Sequence, residues 1–264
     1  MSHNKSPLIS IIIVNYNNAK FLKKSLNSAI NQTYKLKEII VVDDISSDRS
    51  VEILKSYKSK IKYFVNKKKT KYGSYNQINS YYKGFQKSKG KYIFFLDSDD
   101  YFVKNKVKCV INKFNEKSSK SVLFDLPIIK TKKKLIKNNF VQKKFYLSNW
   151  PRFTPQSCIT VERNYAIKIF KTIKFKKFPT IWFDFRIATL YFLNFGNIVI
   201  FRKYLTYYRQ LENSASKNFK IFSINWWRRR KEAHNFYSYL SKKLKIKNRL
   251  TLDKIITSII NFFI

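Results

Sequence analysis

Glycine is scarce in this chain of 264 residues: only Gly73, Gly84, Gly90 and Gly196 occur. None of their spacings gives the G-x-G-x-x-G turn of a dinucleotide site or the glycine-rich loop that cradles a triphosphate, so dehydrogenases and P-loop kinases are excluded. Cysteine is rarer still. Cys109 and Cys158 stand far apart, which supports neither a disulfide framework nor a thiolate zinc site and fits a reducing compartment. The two histidines, His3 and His234, are isolated and read as non-ligands. No run reaches the roughly 18 apolar residues of a membrane span, and MSHNKSPLIS lacks a basic stretch followed by an apolar one. The expectation is a cytoplasmic protein.

Acidic residues are the other shortage, with 15 Asp and Glu against 55 Lys and Arg and a formal charge of +40. Such a charge suits nucleic acid, an acidic membrane surface or a phosphorylated substrate. Here the lysines are spread along the chain beside abundant Ile, Asn, Phe and Tyr, so the excess reads as a compositional bias and no specific nucleic acid is expected. With 44% hydrophobic residues the chain is long enough to bury a real core.

Against that background FFLDSDDYF, Phe94 to Phe102, sets three carboxylates within four positions behind an apolar run. The run belongs to a series. Ile9–Val14, Glu38–Val42, Ile61–Val65 and Lys91–Leu96 read as strands, and apolar residues at helical spacing follow the first three, with Asn17 or Asn18 as the first helix cap. This alternation predicts an α/β fold with a parallel sheet covered on both faces. SVLFDL, Ser157–Val161, NIVIF and Leu205–Tyr208 read as further short strands, KTKKKLIKNN as a charged turn, and the sequence beyond Phe219 as helical.

Polar residues gather at three strand ends: Asn15 and Tyr16, Asp43 and Asp44, then Asp97, Asp99 and Asp100. In open α/β sheets ligands bind beyond the carboxyl ends of strands where the strand order reverses. If the first strand lies between the second and fourth, all three sets meet. Neighbouring carboxylates raise one another's pKa unless a cation joins them. A hard divalent ion, Mg²⁺ or Mn²⁺, takes one or two carboxylates together with substrate phosphates, which D-x-D at a strand end can supply.

ISIIIVNYNNAKFLKKSLNSAINQTY, EIIVVDDISSDRS and KGKYIFFLDSDDYF, in that order, resemble the signature blocks of family 2 glycosyltransferases of the GT-A fold, and Ile181–Ser216 resumes the likeness. The resemblance implies a Rossmann-like, mostly parallel sheet with flanking helices. It divides the chain into a catalytic domain over 1–218, with a nucleotide-sugar half at 8–105 and an acceptor half at 106–218, and a helical C-terminal extension over 219–264. By similarity, Asn15, Tyr16, Asp43 and Asp44 line the nucleotide pocket, with Tyr16 near the base and Asp44 accepting from the base imide. Asp99 is the metal ligand, and Asp97 reaches the ribose or a metal-bound water. Asp184, in IWFDFRIATLYF, matches the general base of inverting members, its aromatic neighbours raising its pKa.

Three positions depart from the family pattern. Phe183 replaces the first residue of the usual acidic pair. YNQINSYYKGF lacks the customary basic donor contact, and Leu211 stands where a His is often found, leaving Arg209 as the diphosphate candidate. Asp100 is the third carboxylate of the turn and reads as a cap for the helix that carries Val103 and Val107. The implied reaction is inverting transfer from a nucleotide-sugar, UDP by family frequency, to a glycan or lipid-linked acceptor, with peripheral membrane contact at the inner face suiting a lipid-borne one. The alternatives are a basic nucleic-acid or membrane-surface module centred on Trp226–Arg230 and a haloacid dehalogenase-type phosphatase, in which Tyr101 replaces the usual Thr or Val.

Overall fold

All seven residues of ISIIIVN are buried, so β1 (Ile9–Asn15) must be covered on both faces. In the computed structural model, which describes residues 6–116, 121–137, 148–174, 176–211 and 218–264, β1 is central. It pairs in parallel with β2 (Lys37–Asp43) on one side and β4 (Tyr92–Asp97) on the other, and β3 (Lys62–Val65) extends the sheet beyond β2. The expected order is therefore present, and its reversal falls between β1 and β4.

The period of two along β1 sorts its side chains into two cores. Ile9, Ile11 and Ile13 face α1 (Ala19–Ile30), α2 (Ser50–Ser56) and α4 (Lys106–Phe114). Ile12 and Val14 face α3 (Gly73–Lys87), α5 (Arg163–Ile173) and α6 (Phe183–Phe195). Gly84 lets α3 approach the sheet, because a Cβ there would run into the Ile12 side chain.

Beyond β4 the sheet, parallel up to that point, becomes mixed. β8 (Ile159–Glu162) lies antiparallel between β4 and β6 (Val122–Lys130), and β9 (Ile200–Arg209) pairs in parallel with β6 and antiparallel with β5 (Tyr101–Phe102). Antiparallel neighbours need no helical crossover, so the βα alternation that marks the first half disappears from the sequence. Ile200 and Phe201, the last two residues of NIVIF, and Leu205–Tyr208 prove to be parts of the single strand β9. The start of KTKKKLIKNN is the turn from β6 into β7 (Leu135–Lys137), and its last residues lie outside the described ones. The first helix cap also differs: Asn18 makes no side-chain cap bond, and the Ala19 amide donates instead to Asp48 Oδ2 at 2.8 Å.

The C-terminal segment forms α7 (Ile224–Lys243) and α8 (Leu252–Phe263). Ser223 caps α7 by accepting from the Trp226 amide at 3.2 Å. The helix buries Phe236 and Leu240 in the α6-side core, with the Phe236 ring 5.7 Å from Phe178 and 6.0 Å from Phe185. α8 is much more exposed, Phe262 at 84% and Phe263 at 78%. Among the described residues no helix is long and apolar enough to cross a membrane.

Candidate active site

A cavity of about 860 Å³ opens beyond the carboxyl ends of β1 and β4. β1 delivers Asn15 and Tyr16 to its wall and the turn after β2 delivers Asp44. That turn is tight. Ile45 takes φ +60° and Asn17, in the turn after β1, φ +49°, and a β-branched residue in the left-handed region is strained backbone beside the cavity. Asp44 accepts from Asn66 Nδ2 at 2.8 Å; burial raises its pKa, while Asn66 and Lys69 oppose the rise. Tyr16 is 49% exposed, with Lys69 Nζ 4.7 Å from its ring centroid and 3.2 Å from its hydroxyl.

Asp43 does not line this cavity, contrary to expectation. Alternation along the strand end turns it away from Asp44, into a buried cluster where it accepts from Asn15 Nδ2 at 2.7 Å and from the Ser46 amide and hydroxyl at 2.8 and 2.7 Å. Its work is to hold the two turns together.

The D-x-D segment is pinned from three directions. Gln77 Nε2 and the Tyr81 hydroxyl, four residues apart on one face of α3, both donate to Asp97 Oδ1, at 2.9 and 2.8 Å. The Asp97 amide donates to Ser157 Oγ at 3.0 Å, and that hydroxyl donates to Asp100 Oδ2 at 2.6 Å. Arg209 donates its amide to Asp100 Oδ1 at 2.8 Å and its guanidinium to the Asp99 carbonyl. Asp100 is thus a buried brace between β4, β9 and the Gln156–Cys158 turn, not a cap for α4, which starts later at Lys106.

Burial, then the charge of Asp99, push Asp97 up to about 7 against the Tyr81 hydrogen bond, with Asp184 adding to the rise. Burial also raises Asp99, which Arg209 opposes, and burial with Asp99 and Asp97 holds Asp100 well above the carboxylate range. Three neighbouring buried carboxylates cannot all ionise comfortably, and a nearby cation would relieve them. Asp97 and Asp99 line the cavity with hard oxygens, and no cluster of three metal-ligating side chains exists among the described residues. That chemistry fits Mg²⁺ or Mn²⁺, which take one or two carboxylates and complete their shell with phosphate oxygens and water.

Asp184 enters the same cavity from the first turn of α6, accepting from the Phe185 amide at 2.7 Å. Burial raises its pKa to about 6, opposed by that amide and by Arg229. Phe183, in place of the usual acid, is fully buried against Tyr81, Phe95 and Phe170, so its position belongs to the core. Arg209 lines the cavity as expected, 4.8 Å from each of the Phe21 and Tyr101 rings.

Several site residues escaped the sequence reading. Gln77 and Tyr81 sit in a helix read only for its apolar face, and Ser157 in a stretch read only as strand. Lys69 lines the cavity beside Tyr16 and is a basic group there, where YNQINSYYKGF offers none. Gln156 is 3% exposed, lines the cavity and has, among the described residues, no hydrogen-bond partner for either carboxamide atom. Arg229 comes from the WWRRR run, and the i,i+3 and i,i+4 logic of α7 was the one signal that the three arginines face different ways. His234 is 3.0 Å from Asp253, with its ring centroid 4.7 Å from that of Trp150 at a tilt of 54°, while His3 and the Asn213–Ser214 pair lie outside the described residues.

The model of the glycosyl transferase family 2 matches residues 10–191. An uncharacterized glycosyltransferase of Rickettsia typhi, RT0329, is 41% identical over 118 residues, 45% of this chain and 35% of that protein. TarP of Staphylococcus aureus, a poly(ribitol-phosphate) beta-N-acetylglucosaminyltransferase, is 31% identical over 119 residues, 44% of this chain and 35% of its own. In both cases the matched part spans about a third of the relative. Among solved structures, S. aureus TarS 1-349 in complex with UDP superimposes with a TM-score of 0.60 at 20% identity, over 87% of this chain and 65% of that one. The mannosyltransferase PcManGT of Pyrobaculum calidifontis, solved with GDP-Man and Mn²⁺, gives 0.56 at 13% identity over 97% and 69%. These likenesses show a GT-A-like fold.

Proposed function

Because the chain belongs to glycosyl transferase family 2, we propose that it transfers a sugar from a nucleotide-sugar, with inversion, to a hydroxyl of a glycan or lipid-linked glycan. The observation that carries this reading is one cavity lined by Tyr16 and Asp44, by Asp97 and Asp99, and by Asp184. Tyr16 presents a half-exposed ring for a base, and Asp44 a buried acceptor for its imide N–H. Arg209 supplies a cation for the diphosphate beside Asp99. A UDP-sugar is the donor this reading favours, since TarS has been solved with UDP and with UDP-GlcNAc.

A divalent cation, held by Asp99 and Asp97, would stabilise the charge that develops on the departing nucleoside diphosphate. Asp184 takes the proton of the attacking hydroxyl. Its burial serves that task, because a carboxylate with a pKa of about 6 is a stronger base than an exposed one and still ionised near neutrality. A lipid-borne acceptor agrees with the outside of the molecule. Arg228 donates to the Ile264 carbonyl at 2.9 Å and Asn261 to that of Trp227 at 3.0 Å, which brings exposed Phe222, Ile224, Phe262 and Phe263 to the same end of the α7–α8 pair as a face for peripheral contact with a membrane.

The competing readings lose their footing. WWRRR is not a free basic face: Arg228 is tied to Ile264, Arg229 lines the cavity, and Arg230 pairs with Asp253 at 2.5 Å. A haloacid dehalogenase phosphatase leaves the turn at Asp44 without a role. The decisive experiment is calorimetric titration of UDP, GDP and dTDP with and without Mn²⁺. Wild type is expected to bind one of them in a metal-dependent way, and Asp99→Ala to lose that dependence; metal dependence unchanged in Asp99→Ala would refute the assignment.

A further inference from the structure

Arg229 reaches the cavity from α7, outside the part of the chain that matches the family model. Its guanidinium lies 4.6 Å from the Phe219 ring centroid and 5.6 Å from that of Trp182. Two carboxylates are near enough to act on its charge, Asp184 and Glu232. Neither is hydrogen-bonded to it. Asp184 accepts from the Phe185 amide, and Glu232 accepts from the amide and hydroxyl of Thr180. Arg228 and Arg230 donate to Ile264, Asp253 and Ser148, whereas Arg229 has no hydrogen-bond partner among the described residues.

A guanidinium that lines the cavity and makes no side-chain hydrogen bond among the described residues has its five N–H donors open to whatever enters. A planar fork of donors flanked by aromatic rings suits a phosphate or a carboxylate, either of which it can hold in bidentate fashion. The donor's diphosphate is already provided for at Asp97, Asp99 and Arg209. Arg229 is coupled instead to Asp184, the group that receives the acceptor hydroxyl.

We propose that the acceptor carries an anionic group, a phosphate or a carboxylate near the hydroxyl to be glycosylated, and that Arg229 holds it beside Asp184. This rests on the reading of Asp184 as the base. It adds a consequence for catalysis. Free Arg229 opposes the rise in the Asp184 pKa, and an acceptor anion that neutralises the guanidinium removes this opposition, so the base strengthens when its substrate is in place.

The test uses the whole chain and small probes: glycerol 1-phosphate and glucuronate as the two anions, with glycerol as the uncharged control, each titrated calorimetrically in the presence and absence of UDP and Mn²⁺. Wild type should bind one anion about tenfold or more tightly than glycerol, and the tighter probe identifies the class. Arg229→Gln should erase the preference and leave UDP affinity within about twofold. Should Arg229→Gln fail to fold, Arg229→Lys keeps the stem and the charge, and is expected to lose most of the preference because a point charge replaces the fork. A preference that survives both substitutions, or an anion displaced by UDP, overturns the proposal. Failure of the nucleotide-sugar reading would be seen separately, as absence of UDP binding by wild type whatever the anions do.

Discussion

Asp44 and Asp97 leave the ends of strands that flank β1, whereas Asp184, Gln156 and Arg229 reach the same cavity from a helix start, a 3-10 turn and α7. The wall proposed for the donor is therefore set by strand register: Asn15 stands opposite Asp43 and Val14 opposite Asp97, so pairing β1 with its neighbours positions the carboxylates at once. The wall proposed for the acceptor has no common ladder. It depends on packing between segments far apart in sequence, such as Phe236 of α7 against Phe185 of α6. One wall is a product of local pairing and the other of tertiary assembly, so they should fail separately.

Asp184→Asn should separate them most sharply. The amide keeps the shape but cannot accept the proton, and transfer should drop about a thousandfold. UDP affinity, a property of the other wall, should stay within about twofold. The pH profile gives a second measure. If Asp184 is the base, as proposed, it works when ionised and its pKa is raised to about 6, so wild-type transfer should be flat above neutrality and decline as pH falls through about 6. The residual activity of Asp184→Asn should lack that decline; a variant that retains it would move the role to another group.

The same contrast explains what was legible in the sequence. Strands β1 to β4 and the D-x-D turn announce themselves through apolar runs and polar strand ends, since both signals are local. Asp43 and Asp44 were not separable, because adjacent residues at a strand end point to opposite sides and only the neighbours decide which side holds the ligand. Asn15 and Ser46 claim Asp43. Asp100 looked like a cap because its partners, Ser157 and the Arg209 amide, come from 57 and 109 residues away. Arg229 could not be told from its neighbours in WWRRR until helical geometry, at about 100° per residue, sent each arginine to a different partner.

Besides the Asp43 cluster of the first half, a second buried polar brace joins Lys106, Asp125, Ser157 and Thr206. Lys106 and Asp125 form an ion pair at 2.7 Å with side chains 0% and 2% exposed. Lys106 also donates to the Ser157 carbonyl at 2.7 Å and to Thr206 Oγ1 at 2.6 Å, tying α4 to β9 and to the turn that carries Gln156. Lys106→Met leaves a buried carboxylate uncompensated and should cost about 3–5 kcal/mol of stability. Denaturant unfolding checks this. Pairing Lys106→Met with Asp125→Leu should recover much of the loss, because removing both charges removes the desolvation cost. No recovery would mean that the brace acts through its hydrogen bonds to Ser157 and Thr206 more than through the pair.

The smallest change asks whether α7 belongs functionally to the acceptor wall. Ser223 closes the first turn of α7 and Arg229 lies less than two turns further on, so loss of the cap loosens the segment that presents the guanidinium. Ser223→Ala should cost about 1 kcal/mol. That is too little to unfold the sheet, so nucleotide binding, which depends on β1, β2 and β4, should be unchanged. If α7 completes the acceptor wall, the lost stability should appear as faster amide exchange over Ile224–Arg229 and a raised KM for the acceptor at constant UDP affinity. A variant that weakens UDP and acceptor binding together would show that the two walls are a single cooperative unit, and the division drawn from strand register would not hold.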